Sequence, residues 1–218
     1  ASETAYAKIN LALHVRVRRP DGYHEIESLF AFCEHGDELL LEPAAVDSLS
    51  IDGPFSDGLS SGPDNLVMRA VEMMRRYAQD RRFDPVALRL DKRLPVAAGI
   101  GGGSADAAAA IRLLDRHWQA CGDNKELCLS SGRLGADVPA CIVSQTRMGR
   151  GLGNDLSIVE AVHVTGTPVL LVNPLIACPT GPVFAGWDGV DRGPLDPTNW
   201  REGRNDLQAP AVRLVPQI

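Results

Sequence analysis

The sequence predicts an α+β fold, and three patterns carry that prediction. Residues 5–17 alternate between apolar and polar side chains, which indicates a β-strand. Residues 25–33 and 37–42 indicate two further strands, and the turn-forming residues 20–23 stand between the first and second strands. Apolar residues at helical spacing follow later in the chain. Because short turns join the early strands, this order favours an α+β fold over a doubly wound parallel sheet.

The middle of the chain alternates between helix and strand. Asp64 is predicted to cap a helix over residues 65–79, and residues 86–90 predict a strand. A second helix is predicted to follow Gly103 and to end at about Trp118. Its spacing predicts a buried face made of Ala107, Ala110, Ile111, Leu114 and Trp118.

The second half of the chain has a weaker pattern. A further helix is predicted after Asp123, and residues 134–145 predict a turn followed by a short apolar strand. Residues 168–173, PVLLVN, predict a strand that opens a second domain. Residues 174–210 are rich in loop-forming residues, and no internal repeat is visible.

Composition and charge exclude several classes of protein. The 218 residues are enough for a hydrophobic core, and the net charge of −6 gives no overall basic field for nucleic acid. Five cysteines without a C-x-x-C spacing argue against a disulfide framework and a zinc ribbon. We expect small buried cysteine side chains in a reducing cytoplasm. No apolar run approaches about 18 residues, so we expect no membrane span.

The segment VAAGIGGGSADAAAA, residues 96–110, has four glycines within five positions and then becomes rich in alanine. Glycine loses much backbone entropy when it is ordered, so such a segment needs a compensating interaction. A glycine-rich loop that leads into a helix N-terminus is a favourable site for an anion such as phosphate. Ser104 could cap the helix or offer its hydroxyl to that phosphate. The alternative is a tight turn that packs against another element.

Two common phosphate sites do not fit this loop. The chain contains no Gly-Lys pair, which excludes the G-x-x-x-x-G-K-[ST] loop. A dinucleotide-binding loop would need a third glycine where Ser104 stands, and it would follow its strand immediately.

Residues 95–110, PVAAGIGGGSADAAAA, resemble the Pro-x-x-x-Gly-Leu/Ile-Gly-Gly-Gly-Ser-x-x-Ala-Ala loop of the GHMP kinases, which include galactokinase and the homoserine, mevalonate and phosphomevalonate kinases. Within that superfamily, further segments resemble the 4-diphosphocytidyl-2-C-methyl-D-erythritol kinases. These segments are AYAKINLALHV at 5–15, RPDGYHEIESLF at 19–30, LGADVPACI at 134–142 and RNDLQAP at 204–210. The resemblance covers essentially the whole chain.

The resemblance implies a two-domain fold. Residues 1–158 would form an N-terminal, ATP-binding and catalytic domain similar to ribosomal protein S5. Residues 159–218 would form a ferredoxin-like C-terminal domain. Relatives carry another glycine-rich segment beyond the position of Ile218, so we expect this C-terminal domain to be incomplete. Residues 192–203 match no motif of the family.

The resemblance also implies a reaction, in which the γ-phosphate of ATP passes to a hydroxyl of a cytidine-diphosphate-linked methylerythritol in the non-mevalonate isoprenoid route. Asp137 matches the family's catalytic aspartate, which accepts or orients the proton of the attacking hydroxyl. Lys8 matches the catalytic lysine, its electrostatic partner. Considered without the resemblance, Asp137 would be only a helix cap and Lys8 a surface lysine of a strand.

Binding residues follow from the same resemblance. The loop would hold the ATP phosphates, and Lys92 and Asn65 would lie near the adenosine. Asn10 would line the methylerythritol pocket, and its period-2 spacing from Lys8 independently predicts that the two share a face of the first strand. Tyr23 and His24 would hold the cytosine, with Phe184 on its other face. The ATP-binding set is Pro95, Ala98, Gly99, Ile100, Gly101, Gly102, Gly103, Ser104, Lys92 and Asn65.

We expect ATP with Mg²⁺ and a small polyol substrate, no nucleic acid or membrane partner, and a monomer or weak homodimer in the cytoplasm. No metal-ligand spacing is visible, so the metal ligands stay open. One alternative is another GHMP kinase for a different small alcohol, which would not need Tyr23 and His24. The other is a nucleotide-binding module without catalysis, which would be expected to lack Lys8 or Asp137.

Overall fold

The computed structural model describes residues 1–77, 83–120, 127 and 130–218. The chain divides into two compact units, each assembled from several segments of sequence. The first unit comprises Ala1–Ala7, Glu34–Val96 and Gly101–Val143, and the second comprises Lys8–Cys33, Ala97–Ile100 and Ser144–Ile218. The predicted α+β class is confirmed, whereas the predicted division at residue 158 stays a prediction.

A long hairpin of two strands contributes residues to both units. Strand β1 (Ser2–Arg18) pairs with strand β2 (His24–Pro43), as the turn residues between them predicted. Gly22 has a φ of 86° in that turn and donates its N–H to the Arg19 carbonyl. The prediction of two separate strands at 25–33 and 37–42 is wrong, because β2 is continuous. At Gly36 the Ala5 carbonyl comes so close that a Cβ atom would lie 2.4 Å from it.

In the first unit, three strands lie side by side. Strand β4 (Val86–Asp91) runs antiparallel to the end of β2, with Glu38 opposite Asp91. On its other side β4 runs parallel to β3 (Ser48–Asp52). Leucine and valine side chains at alternate positions of β4 are buried, which is the period expected of a strand with one face on the core.

Three helices complete the described part of the first unit. Helix α2 (Gly102–Trp118) packs against α1 (Leu66–Tyr77) and α3 (Val138–Val143). The helix predicted up to Trp118 is therefore confirmed. All five side chains predicted for its inner face are buried: Ala107, Ala110, Ile111, Leu114 and Trp118.

The second unit contains β1 from Lys8 onward, the beginning of β2, two short strands and three short helices. Strand β5 (Arg147–Gly151) pairs antiparallel with β2 and with β6 (Asp155–Ile158). Helix α4 (Thr180–Ala185), a 3₁₀ helix (Pro197–Glu202) and helix α5 (Gln208–Leu214) follow.

Residues 192–203, which match no family motif, have a packing role in the second unit. Leu195 is buried in a cluster with Ala12, Leu29 and Met148, and its N–H donates to the Glu27 carboxylate at 2.7 Å. Trp200 packs against the same cluster. The Trp200 ring is therefore accounted for by core packing.

Two further predictions of secondary structure are wrong. The apolar run after Asp137 forms helix α3 and not a strand, because short apolar runs are ambiguous between the two. Arg112 donates to the carbonyl of Cys141 at 2.6 Å, which satisfies a group at the helix end. Residues 168–173 form no strand, and Leu170 and Val172 are mostly exposed. Strand propensity depends on neighbouring strands that a local pattern cannot supply.

The helix α1 begins with a different cap from the one predicted. The Asn65 side chain accepts a hydrogen bond from the Val67 N–H at 2.8 Å, which is the role predicted for Asp64. Asp64 instead accepts a hydrogen bond from the Ser60 hydroxyl at 2.6 Å. The helix predicted after Asp123 falls largely outside the described residues.

Cys33, Cys141 and Cys178 take part in no disulfide; Cys141 is buried and the other two are partly buried. The remaining two cysteines lie outside the described residues. Among the described helices, none combines the length and the apolar character that crossing a membrane requires.

Candidate active site

The glycine-rich loop has a backbone that favours glycine. Gly99 and Gly101 have φ values of 73° and 69°, in the left-handed region that L-residues with side chains rarely adopt. Ala97 shares this conformation, with a φ of 53°. Helix α2 begins directly afterwards, so its first unpaired N–H groups stand at the end of the loop. In the second unit, the Lys8 N–H donates to the Ile100 carbonyl at 3.0 Å.

A buried ion-pair cluster lies beside the end of this loop in the first unit. The Lys92 ammonium donates to Asp37 at 2.5 Å and to Asp106 at 2.7 Å, and all three side chains are almost fully buried. The second oxygen of Asp37 accepts the N–H groups of Arg93 and Leu94 at 2.6 and 2.7 Å. The cluster therefore fixes both a side chain and the backbone just before the loop.

The charges of this cluster are strongly coupled. Burial raises the pKa of Asp106 to about 7, a shift that Asp37 reinforces and Lys92 opposes. Burial lowers the pKa of Lys92, but the two carboxylates outweigh it and the pKa is raised overall. Within the described part of the chain, Asp106 Oδ1 is buried with no hydrogen-bond partner. Asp106 therefore has a carboxyl group that can hold a proton near neutral pH, while Lys92 stays an ammonium.

The turn that carries Asp137 adjoins the start of helix α2. A Cβ atom on Gly135 would lie 3.5 Å from the Ser104 hydroxyl oxygen. Asp137 is half-buried directly before helix α3, and its carbonyl accepts the Cys141 N–H at 3.0 Å. The first unit thus brings together Ser104 and the Gly135–Asp137 turn. Asn65 caps helix α1, whose Leu66 lies 3.5 Å from where a Cβ of Gly103 would be.

Lys8 and Asn10 share one face of β1, as their spacing predicted. In the second unit, the Lys8 ammonium donates to Asn10 Oδ1 at 3.3 Å. Asn10 Nδ2 donates to the Ser28 hydroxyl at 2.7 Å, and Ser28 donates to the Ala12 carbonyl. The Lys8 Nζ also lies 4.6 Å from the centre of the Phe30 ring. This chain of hydrogen bonds fixes the orientation of the Asn10 amide.

Lys8 belongs to the second unit and Asp137 to the first. Each is described within its own unit, and their pairing stays a prediction.

An aromatic cluster forms around His24 in the second unit. The imidazole of His24 lies 5.3 Å from the Phe184 ring and 5.7 Å from the Trp187 ring, measured between ring centres. Burial and the nearby Arg18 lower the pKa of His24, which favours the neutral imidazole. Tyr23 precedes it with 61% of its surface exposed, and its N–H donates to Asp21. The predicted residues Tyr23, His24 and Phe184 therefore lie in one region of the fold.

Four residues of these clusters were missed by sequence reasoning. Asp37 and Ser28 stand in strand β2 with ordinary strand spacing, and nothing local marks them. Asp106 is an acidic residue on the buried side of an otherwise alanine-rich helix, which was the available signal. Trp187 follows Phe184 by three residues just after helix α4, a spacing that places both rings on one side.

Among the residues that the structure describes, no group of three or more histidine, cysteine, aspartate or glutamate side chains could hold a metal ion.

Comparisons with known proteins indicate the family of the chain. The family model described as the GHMP kinases N terminal domain matches residues 65–145. A 4-diphosphocytidyl-2-C-methyl-D-erythritol kinase of Sphingopyxis alaskensis is 55% identical over 99% of this chain and 78% of its own length. One of Rhizorhabdus wittichii is 53% identical over 100% of this chain and 75% of its own length. The chain belongs to this kinase family.

Solved structures support the same fold. A crystal structure of 4-(cytidine 5'-diphospho)-2C-methyl-D-erythritol kinase matches with a TM-score of 0.74 at 33% identity, and covers 100% of this chain and 79% of its own. A Methanococcus jannaschii mevalonate kinase matches with a TM-score of 0.52 at 10% identity, over 73% of this chain and 55% of its own, which shows the fold alone. The chain is therefore an enzyme, an ATP-dependent small-molecule kinase of the GHMP type.

Proposed function

We propose that the chain transfers the γ-phosphate of ATP to a hydroxyl of 4-diphosphocytidyl-2-C-methyl-D-erythritol, in the non-mevalonate route to isoprenoid precursors. The observation that carries this substrate is the 55% identity, over 99% of the chain, to a relative that bears the name of that kinase. The aromatic cluster around His24 supports it, because a kinase for a small alcohol without a base has no need of aromatic side chains on which a base could stack.

The loop from Pro95 to Ser104 is proposed to bind the ATP phosphates. Its glycines allow backbone N–H groups to converge on an anion, and the N-terminus of α2 adds favourable partial charge. Asn65 and Lys92 are proposed to lie on the adenosine side. Mg²⁺ is expected to arrive with ATP, since phosphate oxygens and water suit this ion, and it would neutralise phosphate charge.

Asp137 is proposed to accept the proton of the substrate hydroxyl while that oxygen attacks the γ-phosphorus. The bond from this phosphorus to the bridging oxygen breaks, and ADP leaves with its electron pair. Lys8 is proposed to stabilise the negative charge of the attacking oxygen and of Asp137. Phosphoryl transfer depends mainly on such positioning and charge stabilisation, and no covalent catalysis by the protein is required.

The substrate side is proposed to consist of Asn10, Tyr23, His24 and Phe184. The orientation of Asn10 is fixed through Ser28, so its amide would present a defined polar edge to the methylerythritol. Tyr23 and Phe184 would contact the two faces of the cytosine, and the neutral His24 would hydrogen-bond its edge. We also propose a cytoplasmic monomer or weak homodimer, and residues 159–218 as part of a C-terminal domain.

The test is an ADP-release assay with the cytidyl substrate and its uncytidylylated parent, methylerythritol phosphate, measured side by side. We expect ADP release with the cytidyl substrate and only background release with the parent. Equal rates with both would refute the cytosine requirement and favour another GHMP kinase activity. Nucleotide binding with no ADP released in the presence of any polyol tested would instead indicate a binding module.

A further inference from the structure

The glycine-rich loop requires an interaction that compensates for its conformational freedom, and the cluster of Asp37, Lys92 and Asp106 supplies one. Lys92 precedes the loop and Asp106 follows it, 14 positions later. One buried ammonium therefore joins the two ends of the loop. Constraining the ends of a flexible segment reduces the entropy that it loses when it orders around a ligand.

Asp37 fixes the same place from strand β2. Its two oxygens bind different groups, one the Lys92 ammonium and the other the backbone N–H groups of Arg93 and Leu94. The backbone just before the loop is therefore held as firmly as the side chain. A carboxylate that accepts three charge-assisted or backbone hydrogen bonds is strongly oriented.

The far end of the loop lies against this ammonium. A Cβ atom on Gly102 would lie 3.1 Å from the Lys92 Nζ, closer than ordinary van der Waals contact. Gly102 is the first residue of helix α2, at the point where the unpaired N–H groups begin. The position of Lys92 thus limits the position of the N–H groups that would face a phosphate.

Stability alone does not explain a buried cluster of this kind. Two carboxylates and one ammonium lose their hydration when buried, and well-packed apolar side chains are often at least as stabilising. Asp106 Oδ1 is buried without a hydrogen-bond partner among the described residues, which adds to that cost. A positional role for the cluster accounts for its retention despite the cost.

We propose that Asp37, Lys92 and Asp106 form an ion-pair staple that closes the base of the glycine-rich loop and pre-organises its last N–H groups for the ATP phosphates. The proposal rests on the proposed function, in which this loop binds ATP. It gives Asp37 and Asp106 the role of positioning residues, and it adds a role through the loop to the one proposed for Lys92.

The experiment compares Asp106→Ala, which removes one of the two carboxylate acceptors of Lys92, with Asp106→Asn, which keeps an acceptor oxygen. Binding of a non-hydrolysable ATP analogue is measured by calorimetry on the full chain. We expect Asp106→Ala to weaken this binding about tenfold and Asp106→Asn to stay within about threefold of the wild type. The KM for the cytidyl substrate should stay unchanged in both. Asp57→Ala, an exposed residue of another loop, is the control.

A second variant tests the contact from the loop side. Gly102→Ala should weaken binding of the analogue several-fold, because Lys92 is held by two carboxylates and cannot yield. In the double variant with Asp106→Ala, Lys92 regains freedom, so the combined loss should be smaller than the product of the single losses. Amide hydrogen exchange at residues 101–105 should be faster in Asp106→Ala than in the wild type. If Asp106→Ala does not fold, the exchange rates of Asp106→Asn and Gly102→Ala carry the test.

The outcomes separate the two proposals. A wild-type chain that binds no ATP analogue contradicts the proposed function. If the wild-type chain binds the analogue, and Asp106→Ala has the same affinity and the same exchange rates at residues 101–105, only the staple is overturned. If Asp106→Ala has a lower melting temperature but an unchanged affinity for the analogue, the cluster is purely structural, and this result also overturns the staple.

Discussion

The phosphate-binding loop and the aromatic cluster are built by opposite means. Around the loop, backbone groups provide the proposed contacts, and buried charges at Lys92, Asp37 and Asp106 hold the backbone in place. Around His24, side-chain rings would provide the contacts directly, and burial keeps the imidazole neutral. Changes near the loop should therefore act on ATP, and changes among the rings should act on the cytidyl substrate.

The largest expected effect of a substitution is at Asp137, which lies in neither the glycine-rich loop nor the aromatic cluster. Asp137→Ala should lower kcat about a thousandfold, because it removes the proposed proton acceptor and no phosphate contact. Affinity for ATP should stay within about threefold of the wild type. Steady-state kinetics measures kcat and calorimetry measures the affinity for ATP. Asp155→Asn, at the exposed first residue of β6, is the control. A parallel loss of ATP affinity would assign Asp137 to phosphate binding instead.

The second-largest effect is expected at Phe184, which tests the aromatic cluster around His24. Phe184→Leu keeps apolar volume but removes the stacking face, so the KM for the cytidyl substrate should rise about tenfold. The KM for ATP should stay unchanged, and Phe184→Tyr, which keeps a ring, should behave like the wild type. If Phe184→Leu raised only the KM for ATP, the proposed division between the loop and the aromatic cluster would be wrong.

Tyr23 should have a smaller effect than Phe184, because 61% of its surface is exposed and its stacking is less desolvated. Tyr23→Ala should raise the KM for the cytidyl substrate about threefold, and Tyr23→Phe should not change it. The same kinetic assay measures both variants. An unchanged KM for the cytidyl substrate in Tyr23→Ala would show that Tyr23 does not hold the cytosine.

The smallest effect concerns pH. The pKa of His24 is lowered in the folded chain, so the unfolded chain binds a proton more readily. The neutral imidazole of His24 contributes fully to the free energy of unfolding when the pH is above the pKa of histidine in the unfolded chain, about 6.5. This contribution is lost as the pH falls through the lower pKa of His24 in the folded chain. Between pH 7.5 and 5, His24→Gln should therefore lose about 1–2 °C less in melting temperature than the wild type. An equal loss in both proteins would show that His24 does not contribute to the pH dependence.

Much of the candidate site was predictable because it depends on near neighbours in the sequence. Alternation in β1 placed Lys8 and Asn10 on one face, and the hydrogen bond between them confirms it. The helical repeat after the loop predicted the buried face of α2 correctly. The wrong predictions of secondary structure concern segments whose local pattern is compatible with more than one structure. The apolar run in α3 fits helix and strand equally, and PVLLVN has strand propensity without strand pairing.

The sequence by itself determined the glycine-rich loop, the helix after it and the family, because backbone freedom and periodicity are properties of adjacent residues. Only the tertiary structure decided that Asp37 meets Lys92 across 55 positions and that Phe184 and Trp187 surround His24. The physical reason is desolvation. Whether a carboxylate is buried against an ammonium, or an imidazole against two rings, depends on which distant segments exclude water from it.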